Sequence, residues 1–109
     1  MKDSFQTYTQ RQLKGGENLK KILARIFIQQ NIILPDVDTK LITITEVRIS
    51  PDFKHAKVFF MPLAGKEISK ISEILNDNSM DIKKSASREW TAKFMPNLYF
   101  VKDESFDYA

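Results

Sequence analysis

The chain has 109 residues, 42% apolar and 28% charged, the size and balance of one compact domain with one core rather than a chain-long disordered polymer. It has no cysteine, which excludes disulfides, thiolate nucleophiles and cysteine-based zinc sites and agrees with a reducing cytoplasm. The apolar runs are too short to span a bilayer, and the polar stretch Met1–Gln12 carries no signal-like apolar region, so neither a membrane segment nor a signal peptide is expected.

The net charge of +3 is unevenly spread. Residues 1–31 hold six Lys/Arg against two acids, and residues 78–95 hold four against two. Residues 32–77 and 96–109 are slightly acidic. Basic helical segments on a mildly basic protein suit a polyanionic partner, and they equally suit a solvated face.

In chain order, residues 1–10 read as loose. Lys14-Gly15-Gly16 is expected to interrupt a helix begun earlier, since each interior glycine costs about 1 kcal/mol against alanine. Leu19, Ile22, Leu23, Ile26 and Phe27 then follow the i, i+3, i+4, i+7, i+8 pattern of one helical face. Lys14, Lys21 and Arg25 fall opposite that face, and Pro35-Asp36 ends the element. Leu41–Ile49 alternates and is rich in β-branched residues, so it is a strand. Its phase changes between Ile44 and Val47, and a β-bulge at Thr45-Glu46 would return Ile42, Ile44, Val47 and Ile49 to one core. Ser50-Pro51-Asp52 is turn chemistry, and a second strand, His55–Leu63, completes an antiparallel hairpin closed by Gly65. Phe59 and Met61 face away from Ala56, Val58 and Phe60, either covered or as an exposed patch.

Ile68, Ile71, Ile74 and Leu75 give a second helical stripe. Asp77-Asn78-Ser79 breaks it, with Asn78 or Ser79 able to cap a third helix. Ile82, Ala86, Trp90 and Phe94 recur every four residues, so that helix is expected to run to Pro96. This spacing favours core packing of Trp90 and Phe94 over base stacking. Leu98 and Phe100 alternate with Tyr99 and Val101 in a third strand, followed by an acidic tail. The order α-β-β-α-α-β builds an α+β domain, a three-stranded sheet with helices on one face. The core is expected to span about residues 10–103, with residues 1–9 and 104–109 expected to be flexible.

No catalytic constellation is present. His55, the only histidine, lacks a partnered nucleophile or carboxylate and reads as a surface residue. Asp36/Asp38 and Asp103/Glu104/Asp107 lack the spacing of a cation loop. No phosphate-binding glycine loop or nucleophile elbow occurs. The residues suited to phosphates are Lys14, Lys20, Lys21 and Arg25 on the first helix and Lys83, Lys84, Arg88 and Lys93 on the third, with Lys84 and Arg88 on one face.

The element order is that of a type II KH-like domain. Arg11-Gln12-Leu13-Lys14 with Gly16-Glu17, the run Ile42–Asp52, His55-Ala56 with Val58-Phe59 and Met61-Pro62-Leu63, and Pro96–Phe100 with Asp103–Asp107 together resemble ribosome-binding factor A, especially its alphaproteobacterial members. The likeness covers about residues 10–107. The missing constellation points away from an enzyme and from any cofactor, a cytoplasmic location is expected, and the oligomeric state is open with monomer as the default. The likeness implies contact with the small ribosomal subunit and its rRNA, a part in 5′-end rRNA processing, and a role in growth at low temperature.

Three departures stand out. Asn78-Ser79-Met80 occupies the interhelical kink, where RNA-binding KH domains carry GxxG and the resembled family an Ala-x-Gly run; no glycine is present. Arg88–Lys93 is less basic than the family's third-helix end. Gly15 stands where the family favours valine, which suggests a shorter or bent first helix.

Overall fold

The computed structural model describes residues 8–62 and 68–106. Helix α1 spans Gln10–Gln29, strands β1 and β2 span Ile42–Ile49 and His55–Pro62, helices α2 and α3 span Ile68–Asp77 and Ser79–Ser87, and strand β3 spans Asn97–Lys102. Short 3-10 turns lie at Thr39–Leu41 and Glu104–Phe106. The expected hairpin closure at Leu63 and Gly65 lies outside the described residues.

Helix α1 begins at a capping box. The Gln12 N–H donates to Thr9 Oγ1 at 3.1 Å, and the Thr9 N–H donates to Gln12 Oε1 at 3.0 Å. The helix then runs unbroken through Gly15-Gly16, correcting the expected interruption. The energetics explain why. Two interior glycines cost about 2 kcal/mol. Burying Leu19, Ile22, Leu23, Ile26 and Phe27 against the sheet returns roughly 1.5–3 kcal/mol per side chain. Gly16 is also required by the packing, because a Cβ there would lie 2.6 Å from the Val47 carbonyl oxygen of β1. The glycine lets helix and strand backbones touch. The helix stops at Gln29, where Gln30 turns left-handed (φ 54°) and the buried Thr39 hydroxyl donates to Phe27 O at 2.8 Å. Pro35-Asp36 therefore lies in the following loop, beyond the end of the helix.

The sheet has the order β1-β2-β3, with β1 antiparallel and β3 parallel to the central β2. The bulge stands where the phase change required it. Ile44 opposes Phe60 and Glu46 opposes Phe59, leaving Thr45 without a partner in the ladder. Ile42, Ile44, Val47 and Ile49 are consequently all buried. The hairpin turn is held by Asp52, which accepts from the Ser50 hydroxyl at 2.7 Å and the Lys54 N–H at 3.0 Å. Phe53 follows in the left-handed region (φ 60°), its ring buried against Gly15.

All three helices lie on one face, over a core that includes the stacked rings of Phe27 and Phe100, 6.3 Å apart. On the opposite face Phe59 and Met61 are half-buried, and the Arg48 guanidinium lies 4.7 Å over the Phe59 ring. The outer edge of β3 is closed by a side chain. Asn76 of α2 accepts from the Phe100 N–H at 2.8 Å and donates to the Phe100 carbonyl at 2.9 Å, imitating a neighbouring strand.

Helix α3 ends at Ser87, which corrects the expectation that it reaches Pro96. Four-residue recurrence drifts about 40° per step on a 3.6-residue helix. Phe94 would thus stand about 120° away from Ile82 and could not share its face. The chain instead leaves the helix. The Ser87 hydroxyl bonds to Lys84 O at 2.7 Å, and Trp90 folds back half-buried against the core.

Candidate nucleic-acid interface

The apolar stripe of α1 fixes where its charges go. With Leu19, Ile22, Leu23, Ile26 and Phe27 against the sheet, Lys14, Lys21 and Arg25 are left on the solvent side, and Lys20 lies half-buried at the flank. Helix α3 buries Ile82 and Ala86, which leaves Lys84 and Arg88 exposed. α1 and α3 touch, so both sets of cations lie on the helical layer.

The eight candidate cations differ in availability. Arg25 is ion-paired with Glu89, a contact that ties α1 to the segment after α3. Lys83 is half-buried beside β3 and donates to Asn97 Oδ1 at 2.8 Å. Lys93 lies outside the helix, its Nζ 5.4 Å from the Phe94 ring centroid. Arg88 forms the cap of α3. Among the described residues, Lys14, Lys20, Lys21, Lys84 and Arg88 make no ion pair or side-chain hydrogen bond, so their charges are free to meet an external anion.

The connection between α2 and α3 is a single residue. Asn78 (φ −108°, ψ 15°) donates to Ile74 O from its N–H at 3.1 Å and from Nδ2 at 2.8 Å, and its carbonyl accepts from the Ile82 N–H at 3.1 Å. Its side chain thus closes α2 backwards rather than capping α3 forwards. Ser79 and Met80 already belong to α3, and Met80 is exposed. With one residue between the helices there is no loop to close around a phosphate, so anion contact on this layer falls to side chains.

The expectation of Phe94 in the core is overturned; its ring is 67% exposed. Trp90 Nε1 donates to Phe94 O at 2.9 Å, which pins the turn carrying that ring. A cation outside the expected set, Arg11, stacks 4.2 Å over Phe53. Its place three residues before Lys14 gave no sign of that contact, because the left-handed Phe53 is not visible in a turn signature. Arg48, held in a two-bonded pair by Glu46 at 2.8 and 3.2 Å, has its guanidinium pKa raised, chiefly by that hydrogen bond and against the effect of burial. No helix of the described residues is long and apolar enough to cross a membrane, and no cluster of three metal-ligating side chains occurs among them.

The fold is shared with solved structures. A crystal structure of ribosome-binding factor A from Thermus thermophilus superposes with a TM-score of 0.69 at 20% identity, covering 87% of this chain and 97% of that one. A solution structure of a Thermotoga maritima protein, described as a putative ribosome binding factor A, gives 0.73 at 20% identity, covering 94% and 96%. The family model for ribosome-binding factor A matches residues 11–109. The chain belongs to the ribosome-binding factor A family. Its ribosome-binding factor A relatives include those of Pelagibacter ubique, 39% identical over 93% of this chain and 83% of that protein, and of Cereibacter sphaeroides, 38% identical over 91% and 71%. A homology model of the Thermus thermophilus factor, fitted into a cryo-EM map of a 30S complex of that factor, also shares the fold, with a TM-score of 0.65 at 21% identity over 83% of this chain and 92% of that one.

Proposed function

We propose that this protein binds the small ribosomal subunit or its precursor as a maturation factor, contacting rRNA through the solvent faces of α1 and α3 and assisting rRNA processing. The carrying observation is the set of five unpaired cations, Lys14, Lys20, Lys21, Lys84 and Arg88, on two touching helices. Side chains of this kind meet phosphates without reading bases, so the protein recognises the shape of a folded RNA. It holds an immature conformation until release, as a single-domain monomer in the cytoplasm, with no nucleotide, metal or catalytic residue involved. Asn78, Ser79 and Met80 set the angle between α2 and α3 and so the direction in which Lys84 and Arg88 face. The Thermus thermophilus factor in its 30S complex supports the same partner.

Co-sedimentation with free small subunits, large subunits and whole ribosomes across a salt series tests this reading. Neutralising about five phosphates weakens binding roughly 500-fold between 50 and 200 mM salt, on the counterion-release slope for duplex nucleic acid. Binding confined to free small subunits, with a lower salt slope in Lys84→Glu/Arg88→Glu, supports it. Equal binding to every RNA would mean a general KH-like RNA binder, and salt-insensitive binding a protein-interaction module. Either result removes the proposal.

A further inference from the structure

The segment between α3 and β3 carries a side chain that the core does not use. Phe94 is 67% exposed and takes no part in the buried core. The turn beneath it is anchored. Trp90 is packed against the core and donates to Phe94 O at 2.9 Å, and the buried Pro96 fixes the chain two residues later. The backbone that carries the ring is therefore held in place.

Its surroundings are cationic. Lys93 Nζ stands 5.4 Å from the ring centroid, and Arg88 is exposed on the same segment. The Arg25–Glu89 ion pair joins that segment to α1. An aromatic face beside an ammonium group, with an exposed guanidinium six residues earlier in the chain, offers stacking for a base together with charge for its phosphates, the pairing used by single-strand binders. We infer that Phe94 is a stacking site for one unpaired nucleobase of the bound RNA, with Lys93 and Arg88 meeting the flanking phosphates. This rests on the small-subunit reading and adds to it a contact with unpaired RNA, where the helical cations need only a folded backbone.

The test compares small-subunit binding by the wild type and by Phe94→Ala, Phe94→Leu and Phe94→Tyr across the same salt series. Phe94 contributes no core packing, so these variants keep the fold, which the fluorescence of Trp90, the only tryptophan in the chain, verifies directly. Loss of one base–aromatic stack weakens binding roughly 5- to 140-fold in both Ala and Leu variants. The salt slope stays at the wild-type value, because no phosphate contact is removed, and Phe94→Tyr binds as the wild type does. Wild-type affinity in Phe94→Leu overturns the stacking site, whether or not Phe94→Ala is weakened, since leucine keeps apolar contact and lacks a π-face. That result leaves the small-subunit reading intact if Lys84→Glu/Arg88→Glu still lowers the slope. Absence of wild-type binding to small subunits removes both.

Discussion

Gly16→Ala is the substitution that tests most directly how α1 is seated. Alanine is the better helix former by about 1 kcal/mol, so on an exposed helix the change would stabilise. Here the added Cβ meets Val47 O at 2.6 Å, and the obstacle is backbone within the bulged strand, which cannot rotate away. Helix and strand must separate by several tenths of an ångström along a seam that buries Leu19, Leu23 and Ile49. Overpacking of this kind costs about 1–3 kcal/mol, and against the propensity gain the net loss is roughly 0–2 kcal/mol. Gly15→Ala is the matched control. Its Cβ lies 3.1 Å from the Ile49 and Phe53 side chains, so side chains rather than backbone must give by a few tenths of an ångström, and that variant loses less than Gly16→Ala. Urea unfolding of the two variants in parallel measures the difference. Gly16→Ala with a midpoint at or above that of Gly15→Ala would refute the close-approach account of Gly16.

Asn76→Leu removes the 2.8 and 2.9 Å bonds to the Phe100 N–H and carbonyl, leaving the carbonyl only the 3.5 Å bond from the Ser72 hydroxyl, and a loss of about 1–3 kcal/mol is expected in the same unfolding assay. Gln12→Leu removes the bond from the Thr9 N–H to Gln12 Oε1, half of the capping box, and the 2.8 Å bond from Nε2 to the buried Ile49 carbonyl, for about 1–3 kcal/mol. Arg25→Ala costs under about 1 kcal/mol, because its pair with Glu89 is solvent-exposed, and a double-mutant cycle with Glu89→Ala reads the coupling. The Asp52 carboxyl is held below its ordinary value, first by the Ser50 hydroxyl and then by the Lys54 N–H. A depressed carboxylate stabilises the turn above its unfolded pKa and loses that contribution as pH falls through the folded pKa. NMR titration should therefore show Asp52 protonating below a model aspartate, and Ser50→Ala should move it upward.

Local signals were legible wherever one residue's surroundings decide its state. The phase change between Ile44 and Val47 located the bulge at Thr45, because a strand with one buried face cannot tolerate a slip in register. The stripe from Leu19 to Phe27 predicted both the buried face of α1 and the outward position of Lys14 and Lys21. Features set by distant partners were not legible. Gly15-Gly16 reads as a helix breaker until Val47 O is seen 2.6 Å away. The early end of α3 is decided by the chain's need to cross to the far edge of β2, where β3 runs parallel. The four-residue period through Phe94 was real as spacing but wrong as geometry, since only a period near 3.6 keeps one face. The same limit governs the interface. Eight cations were visible in the sequence, while the pairing of Arg25 with Glu89 and of Lys83 with Asn97 was not.

The division of labour between α2 and α3 follows from Asn78. A glycine loop at this junction would present backbone N–H groups to a phosphate. Here the Asn78 N–H and side-chain amide are both committed to Ile74 O, and the next residue already lies within α3. With the Asn78 donors committed to Ile74 O and no loop to wrap an anion, the proposed RNA contact on this layer falls to Lys and Arg side chains. These are strongly salt-dependent and carry little sequence preference. Replacing Asn78 by glycine therefore frees one helix end without creating a grip, since there is still no loop to wrap an anion. Asn78→Gly is expected to lower stability by about 1–2 kcal/mol through the lost Nδ2 bond and added backbone freedom, while leaving the salt slope of RNA binding unchanged. A steeper slope in that variant, from co-sedimentation across the salt series, would show that the junction can recruit backbone donors after all.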